Sequence, residues 1–529
     1  MNAFDGAERR LALLTRPLRW LGKRVRGHVV ELVGGPARAR VVVVLGGVLA
    51  LSSAQISTVG AVAPQMELAL HIDNTQIGLL STVALLGGAL AVMPAGLLVD
   101  RIQRIPMLAA SVVLWSIATG YGAIAHSYVD LLLSRAALGI VSATAGPAVA
   151  SLTGDYFPSR ERGKVYGYIL AGEIGGTAFG FLISGFAASV VSWRAAFVVL
   201  AIPGVFLAWS MWHTVPEPAR GGQSRLAVGT VDLVEAVRAG RDAPREEAPG
   251  AEPTRDLAQE AARRRGFRPD PRLVLRADPR RMPLREAIVY VLRIPTNVLL
   301  IISSSLGYFF FSGLQTFAIV FLRGHFGVGQ AAATGVLGLL VVAALIGTLA
   351  SGPLTDALVR RGRIEARIWG PAICYIVGGL ALIPGIIAGS LSSAIGFYML
   401  GAGLIFAANP PLDSARLDIM PSGLWGRAES VRTFVRSVAQ ALAPVAFGAI
   451  ADLVAHFVPQ APVGTHVHGI VSSATGTGLE VSFLAMLVTL FAAGVTMVRA
   501  RGTYPSDVAT AGAAWPPGPP RPDAPTRRL

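Results

Sequence analysis

The sequence predicts an all-α membrane protein with twelve transmembrane helices in two pseudo-symmetric six-helix bundles. Its 529 residues are 53% hydrophobic and only 15% charged, which is unlike the balance of a soluble multidomain chain. Apolar runs of about 20 residues recur along it, and each is long enough to cross a bilayer as a helix. Two short polar patterns also occur once in each half, as expected for an internal repeat.

The positions of the apolar runs predict twelve spans. The first six form one bundle within residues 41–213, and the last six form a second bundle within residues 297–498. The predicted limits are 41–64, 76–99, 105–126, 129–155, 164–189, 194–213, 297–321, 331–358, 367–388, 391–416, 430–455 and 478–498.

The repeated patterns lie where apolar runs end. Residues 96–104 (GLLVDRIQR) and 352–363 (GPLTDALVRRGR) each have a small residue, an acid four positions later and then arginines. The second pattern pairs residues 155–159 (DYFPS) with 418–422 (DIMPS). The two offsets, 256 and 263 residues, are nearly equal, and we therefore predict a duplicated unit.

The net charge of +15 lies mainly in the gaps between apolar runs, so we expect no nucleic-acid partner. Basic gaps alternate with gaps that contain no Lys or Arg, such as 65–75, 387–391 and 456–477. Since basic loops stay on the cytoplasmic side, both termini are predicted to be cytoplasmic. We expect a multi-pass protein of the cell (plasma) membrane.

Three predicted segments lie outside the bundles. Residues 1–40 form a basic cytoplasmic segment. Residues 214–296 form a cytoplasmic linker that is too polar to bury a core. This linker ends in a surface amphipathic helix, with apolar residues at helical spacing from Leu284 to Leu292. Residues 499–529 are Pro-rich and are predicted to be a disordered cytoplasmic tail.

No pattern in the sequence points to enzyme chemistry. Cys374 is the single cysteine, which excludes an intramolecular disulfide. No nucleophile–base set, nucleotide-binding loop or metal-ligand cluster stands out. We therefore expect no enzymatic activity, no cofactor and no metal, and we expect transport to be driven by an ion gradient rather than by ATP.

Two ionisable residues inside the first bundle are candidates for proton coupling. Glu173 lies well inside the fifth span, where an ionised carboxylate is costly unless it is paired or protonated. Arg135, in the fourth span, is its candidate partner. A structural ion pair is the alternative role for each residue.

A predicted substrate cavity draws on spans one, four, seven and ten. In the seventh span, Tyr308 and Gln315 would be polar groups in an aromatic wall suited to an amphipathic solute; core packing or lipid contact is the alternative. Asp413 and Arg416 are spaced to pair on a helix beside prolines that break span ten, and we favour a structural or gating pair there over a substrate site. The candidate cavity residues are Gln55, Ser142, Tyr308, Gln315, Asn409, Asp413 and Arg416.

Twelve spans in two halves, a long central loop and Gly-x-x-x-Asp-Arg after the second span resemble the major facilitator superfamily. The resemblance implies a gating motif at residues 96–104 and its copy at 352–363, which holds the halves together in the outward-facing state. Arg432 and Arg436 would be partners of Asp100 across this gate, and Arg135 matches the arginine of a motif implicated in proton transfer. The implied gating residues are Gly96, Asp100, Arg101, Arg104, Gly352, Asp356, Arg360, Arg432 and Arg436.

Within the superfamily, residues 94–101, 154–158 and 193–197 are most similar to the Spinster-like branch, which includes bacterial inner-membrane proteins. Members of that branch commonly have acids in spans one and four, where this chain has Gln55 and Ser142. The branch carries lysophospholipids and sphingoid lipids in animals, and its bacterial relatives include lipid and drug carriers.

These observations predict secondary-active, proton-coupled transport of an amphipathic organic solute, drug or lipid by alternating access, with export favoured. Proton-coupled uptake of an organic anion is the alternative within transport. A membrane sensor or scaffold without transport is the alternative from another class, supported by the missing acids at Gln55 and Ser142. The expected partners are a small-molecule or lipid substrate, protons and the bilayer, and we expect a monomer.

Overall fold

The fold is helical throughout the part of the chain that the computed structural model describes. In that part no strand occurs, and twelve helical segments are long and apolar enough to cross a membrane, six on each side of the linker. The predicted fold class is thereby confirmed. The described residues are 27, 30–157, 159–218, 226, 229–242, 257–276, 279, 282–421, 424–457 and 473–514.

The first bundle contains seven helices in six spans. They are α1 (Pro36–Leu70), α2 (Asn74–Arg101), α3 (Arg104–Ala123), α4 (Tyr128–Ser142), α5 (Ala145–Tyr156), α6 (Ser159–Val190) and α7 (Trp193–Thr214). The fourth span, predicted as one helix, consists of α4 and α5 with a break at Ala143 and Thr144.

The linker contributes α8 (Leu233–Asp242), α9 (Leu257–Arg264) and α10 (Leu284–Arg293). The second bundle contains α11 (Pro295–Phe326), α12 (Gln330–Arg360), α13 (Ala366–Ile386), α14 (Leu391–Ala407), α15 (Asn409–Asp418), α16 (Trp425–Phe457) and α17 (Ser473–Ala500), and α18 (Tyr504–Ala513) follows it. The tenth span is broken at Ala408, immediately before the prolines that predicted the break.

Local signals set several helix ends. The carboxylate of Asp73 accepts the backbone N–H of Gln76 at 2.7 Å, and the Gln76 side chain accepts the backbone N–H of Asp73 at 3.0 Å, which forms a capping box at the start of α2. Helix α11 begins with Pro295, which is favoured in a first turn. It ends at Gly327, whose φ of +66° suits a residue without Cβ.

Small residues allow α6 to pack closely on α1. Gly172, Gly176 and Gly180 lie on one face of α6. A Cβ on Gly176 would be 2.1 Å from the carbonyl oxygen of Ala50, and one on Gly180 would be 2.5 Å from the Cα of Ala54. Close backbone approach of this kind is the usual role of a small-xxx-small stripe.

The two bundles meet at the end that holds the last turns of α1 and the first turn of α2, which we call the distal end. A Cβ on Gly60 of α1 would be 2.3 Å from the carbonyl oxygen of Gln315 on α11. A Cβ on Gly78 of α2 would be 2.3 Å from the carbonyl oxygen of Pro444 on α16. These backbone contacts close the distal end, and hydrogen bonds reinforce them.

The most extensive polar contact at the distal end is made by Asp452 of α16. Its Oδ1 accepts the side-chain amide of Asn74 at 2.8 Å and the backbone N–H of Asn74 at 3.3 Å. Its Oδ2 accepts the backbone N–H of Thr75 at 2.7 Å and the hydroxyl of Thr75 at 2.6 Å. On α12, the Gln330 amide donates to the Ala61 carbonyl at 2.7 Å. Asp452 thus caps the N-terminus of a helix in the other bundle.

The described parts of the linker pack on the bundles, although its composition led us to expect a segment without a core. Leu226, Leu233 and Val237 are buried in the hydrophobic core of the first bundle. Ala258 and Ala262 of α9 are buried in the core of the second bundle. A few apolar side chains are sufficient to hold these linker segments in place because they pack into the cores of the bundles.

The surface helix predicted at the end of the linker is present as α10. Its fully buried positions are Ala287 and Val291, whereas Leu292 is exposed. Of the larger apolar residues that suggested this helix, Ile288 is half-buried and Leu292 does not hold it against the bundle.

Residues 504–513, predicted to belong to a disordered tail, form the helix α18. Tyr504 and Val508 are fully buried. The carboxylate of Asp507 accepts the backbone N–H of Thr296 at 3.0 Å and so caps the first turn of α11. Burial raises the pKa of Asp507 above the ordinary value of an aspartate. The proline-rich composition that suggested disorder begins only after Ala514.

Candidate substrate and coupling site between the bundles

Each bundle has a buried arginine–carboxylate pair at the end away from the distal contacts. In the first bundle, the guanidinium of Arg104 pairs with the carboxylate of Asp155, and its Nε donates to Glu217 at 2.9 Å. In the second bundle, Arg367 pairs with Asp418. Both pairs are separated by 51 residues. The two pairs are therefore structural copies, related by an offset of 263 residues.

This offset changes the interpretation of the gating motif. The 256-residue offset aligned Arg104 with Arg360, but the buried equivalent of Arg104 is Arg367. Asp356, the acid of the second copy, forms an ion pair with Arg367 at 3.0 Å. The loop in the second half is seven residues longer than its copy in the first half. The 256-residue offset therefore relates residues before the loop, and the 263-residue offset relates residues after it. Applying the 263-residue offset to Arg104 would have found Arg367.

The remaining motif residues differ in exposure. Arg101 and Arg360 have exposed side chains, whereas Gly96 and Gly352 are half-buried. The side chain of Asp100 lies outside the described part of the structure. Its predicted role at the gate therefore stays a prediction.

Arg432 has its carboxylate partners within its own bundle. Its Nη1 lies 2.6 Å from Oδ1 of Asp413, and its Nη2 lies 3.1 Å from Oε1 of Glu429. Arg416 pairs with Glu429. The direct Asp413–Arg416 pair that helical spacing permits is thus replaced by two pairs between α15 and α16. Asp413 and Glu429 neutralise Arg416 and Arg432.

Arg436, one helical turn beyond Arg432 on α16, has a different environment. Its guanidinium lies over the ring of Tyr308, 4.5 Å from the ring centroid, as in a cation–π contact. It forms no hydrogen bond or ion pair with any residue that the structure describes, and its Nε is buried. The side chain is half-buried, so the rest of the guanidinium remains accessible. Arg436 therefore supplies a positive charge with no ion-pair partner among the described residues of its own bundle.

Glu173 lies opposite this arginine. Its side chain is exposed on α6, and the charge of Arg436 acts on it. The two positions are 263 residues apart, so they are equivalent positions in the two halves. Equivalent residues that face a pseudo-twofold axis also face each other, so the charge of a base in one bundle acts on an acid in the other, although no hydrogen bond or ion pair joins the two side chains. The sequence identified both residues but assigned them to different sites.

The predicted pairing of Glu173 with Arg135 is wrong. Arg135 is 1% exposed inside the first bundle. Its Nη1 donates to the Gln55 carbonyl at 3.3 Å, its Nη2 donates to the Ser134 hydroxyl at 3.2 Å, and its guanidinium lies 4.9 Å from the Phe197 ring centroid. These contacts hold α4 against α1 and α7 and turn the guanidinium away from the space between the bundles.

Gln55 does not line that space. It is fully buried; its amide donates to the Leu200 carbonyl at 3.0 Å, and its oxygen accepts the Thr119 hydroxyl at 2.9 Å. It therefore bridges helices within the first bundle. Ser142 is half-buried at the end of α4, and its hydroxyl donates to the Gly139 carbonyl at 3.2 Å.

An aromatic surface continues from Arg436 along α11. The Tyr308 and Phe311 rings pack edge to face with centroids 6.4 Å apart, and Phe311 packs on Phe406 of α14 in the same way at 5.0 Å. All three rings are half-buried. Gln315, about one turn after Phe311 on α11, and Asn409, at the start of α15, are also half-buried. Tyr308 and Gln315 thus lie near the aromatic wall that the sequence predicted.

The charges define what the site can do. Arg416, Arg432 and Arg436 face two acids from their own bundle, which leaves one positive charge beside the aromatic surface. Glu173 supplies one negative charge from the other bundle. Such a site can bind an anion at Arg436 and exchange a proton at Glu173. Within the described ranges, no three His, Cys, Asp or Glu residues are grouped so as to hold a metal ion.

Comparison with known proteins agrees with this architecture. The chain is 31% identical over 146 residues to a probable L-galactonate transporter of Escherichia coli, which covers 27% of the chain and 32% of the relative. It is 31% identical over 159 residues to a cis,cis-muconate transport protein of Acinetobacter baylyi, which covers 30% of the chain and 38% of the relative. The chain therefore spans well under two thirds of the relatives it matches. Both are named as transporters, in agreement with the expectation that the chain is not an enzyme.

A solved structure shares the fold over nearly the whole chain. It is a bacterial homologue of the human lysosomal transporter Spinster in an inward-facing, unoccupied conformation. The TM-score is 0.69 at 22% sequence identity, over 91% of this chain and 99% of that one. A sequence model described as Major Facilitator Superfamily matches residues 45–444. Because this match covers more than half of the sequence, the chain belongs to the Major Facilitator Superfamily.

Proposed function

We propose that the protein is a secondary-active, proton-coupled carrier that takes up small organic anions by alternating access. The observation that carries the proposal is the accessible guanidinium of Arg436, which has no ion pair among the described residues. The names of the relatives, galactonate and muconate transporters, support the same substrate class. We favour an anionic substrate over the predicted drug or lipid because the charge beside the aromatic surface, that of Arg436, is positive.

The facing charges give a route for coupling. Without substrate, Arg436 is the counter-charge of Glu173. A carboxylate bound at Arg436 neutralises the guanidinium, and Glu173 is then left as an uncompensated charge within the membrane, which is costly. Glu173 consequently takes up a proton when the anion binds. Anion and proton are thus loaded together, and they cross the membrane in the same direction.

The closed distal end supports an inward-facing state, given the predicted topology. With both termini in the cytoplasm, the distal contacts lie on the outer side, and the site is reached from the inner side. Transport requires the bundles to rock about the site so that these contacts break while others form. We propose the plasma membrane as the location.

Uptake into proteoliposomes tests this proposal against the scaffold alternative. The full-length protein would be reconstituted, and uptake of radiolabelled muconate would be measured with and without an imposed gradient that is acidic outside. A carrier of the proposed kind accumulates the anion above the equilibrium level only with the gradient. Absence of flux with each anion tested would support a sensor or scaffold, and accumulation independent of the gradient would exclude proton coupling.

A further inference from the structure

We propose that Arg436 and the aromatic surface beside it form a subsite for carboxylates with a flat, unsaturated or aromatic body, in preference to polyhydroxylated acids. This inference rests on the proposed transport of organic anions and names the substrate class. Arg436 supplies the charge, and Tyr308, Phe311 and Phe406 supply the surface.

The guanidinium is held in place for an anion. The contact with Tyr308 holds the guanidinium over one face of the ring, 4.5 Å from its centroid. Arg416 repels it from the side of α15, while the charges of Arg416 and Arg432 are satisfied by Glu429 and Asp413. A fixed, planar guanidinium with free N–H groups can donate two parallel hydrogen bonds to a carboxylate. No carboxylate in the described residues of the second bundle competes for it by direct pairing.

The surface next to the guanidinium suits a flat molecule. Tyr308 and Phe311 are three residues apart on α11 and so lie on one face of the helix. Phe406 extends that face from α14, with its ring nearly perpendicular to that of Phe311 at an interplanar angle of 89°. Conjugated or aromatic bodies gain from edge-to-face and stacked contacts with such rings beyond the area they bury. A saturated chain of equal length lacks this gain.

Hydroxylated acids find few partners at the same place. The Ser312 hydroxyl on α11 already donates to the Gln440 carbonyl at 2.8 Å. Across the cavity, the Thr177 hydroxyl donates to the Glu173 carbonyl at 3.2 Å. A polyhydroxylated acid would have to give up water at each hydroxyl that finds no equivalent hydrogen bond, which is costly. The neutral polar groups that α11 still offers include the side chains of Ser305, Tyr308 and Gln315.

Three six-carbon dicarboxylates with the same charge separate these contributions. Muconate is flat and unsaturated, adipate is saturated, and galactarate carries four hydroxyls. Binding to the purified full-length protein in nanodiscs would be measured by calorimetry at pH 7. We expect muconate to bind about tenfold more tightly than adipate, and galactarate to bind more weakly than adipate.

Variants identify the groups responsible. Phe311→Leu should bring muconate to within about twofold of adipate, because it removes the ring while keeping an apolar side chain. Arg436→Gln and Arg436→Lys should both weaken binding of all three anions, the lysine variant less, because it keeps the charge without the planar fork. Arg293→Gln removes an exposed positive charge outside the cavity and should change nothing. Melting temperatures and gel filtration show whether each variant is folded.

The outcomes separate this inference from the proposed function. If galactarate binds as tightly as muconate, or Phe311→Leu leaves the muconate preference intact, the subsite is wrong while anion transport stands. If no dicarboxylate or monocarboxylate binds and none is transported, the proposed function itself fails. A preference for muconate that is lost in Phe311→Leu and unchanged in Arg293→Gln supports the subsite.

Discussion

Asp452 joins the two bundles at their distal end, so its replacement tests how the closed state is held. Its carboxylate accepts four hydrogen bonds from Asn74 and Thr75 at the start of α2. Asp452→Asn keeps the shape but removes the charge and places an amide group opposite the Thr75 N–H. The N-terminus of α2, in the first bundle, then loses the cap that α16 of the second bundle provides.

The size of the effect follows from the contacts. A hydrogen bond to a charged group is worth about 1.5–3 kcal/mol, and the charge at a helix N-terminus adds about 0.3–1 kcal/mol. These contacts exist only while the distal end is closed. Allowing for partial replacement by the asparagine, a loss of about 2 kcal/mol shifts the equilibrium toward the distally open state by roughly 30-fold.

Asp73 provides a matched control. It caps the same helix, through the Gln76 N–H at 2.7 Å, but it belongs to the first bundle. Its contacts persist in both states, so Asp73→Asn should lower stability without shifting the equilibrium between them.

Cysteine labelling measures the opening. Thr334 is buried against Gly185 at the distal contact, and Thr334→Cys in a Cys374→Ser background reports exposure of that surface in nanodiscs. Maleimide labelling should be roughly 30-fold faster with Asp452→Asn and unchanged with Asp73→Asn. Equal labelling rates in the Asp452→Asn and parent proteins, or equal acceleration by both substitutions, would refute the proposed role of this cap.

Two further predictions concern stability. Gly176→Leu should lower the melting temperature, at a cost of about 1–3 kcal/mol, because a Cβ there meets the Ala50 carbonyl at 2.1 Å; Gly175→Leu, where nothing lies within 4 Å of a Cβ, should not, and an equal loss in both would contradict the packing argument. Tyr504→Phe removes the hydroxyl that hydrogen-bonds to Asp418 and should destabilise the protein by about 1 kcal/mol. An unchanged melting temperature in Tyr504→Phe would mean that this hydroxyl contributes nothing to holding α18.

The fold was predictable because bilayer thickness imposes a length on every span. Each apolar run therefore marks one span, and the repeated patterns at 96–104 and 352–363 revealed the two halves. Only one of the two helix breaks was predicted. Pro410 and Pro411 mark the break in span ten, and Pro147, which cannot donate to the carbonyl four residues earlier at Ala143, was an unused signal for the break in span four.

The site was predictable as a set of residues but not as a set of contacts. Glu173 was found because a charge inside a span is costly wherever it lies. The partner of Glu173 was misassigned because the arginine that lies near it depends on how the two bundles face each other. The 263-residue offset that relates Arg104 to Arg367 also relates Glu173 to Arg436. This offset was the sequence signal that could have identified Arg436 as the partner of Glu173. Hydropathy cannot show that Gln55 turns inward within its own bundle.

The central claim is that the facing charges of Glu173 and Arg436 couple proton and anion movement. Glu173→Gln keeps the side-chain volume and fixes the uncharged state, so the anion site at Arg436 remains. The measurement is muconate transport in proteoliposomes, as concentrative uptake under an imposed pH gradient and as exchange without one. We expect the variant to lose gradient-driven accumulation and to retain exchange. Accumulation by Glu173→Gln with the wild-type dependence on pH would contradict the account and leave Glu173 a structural role.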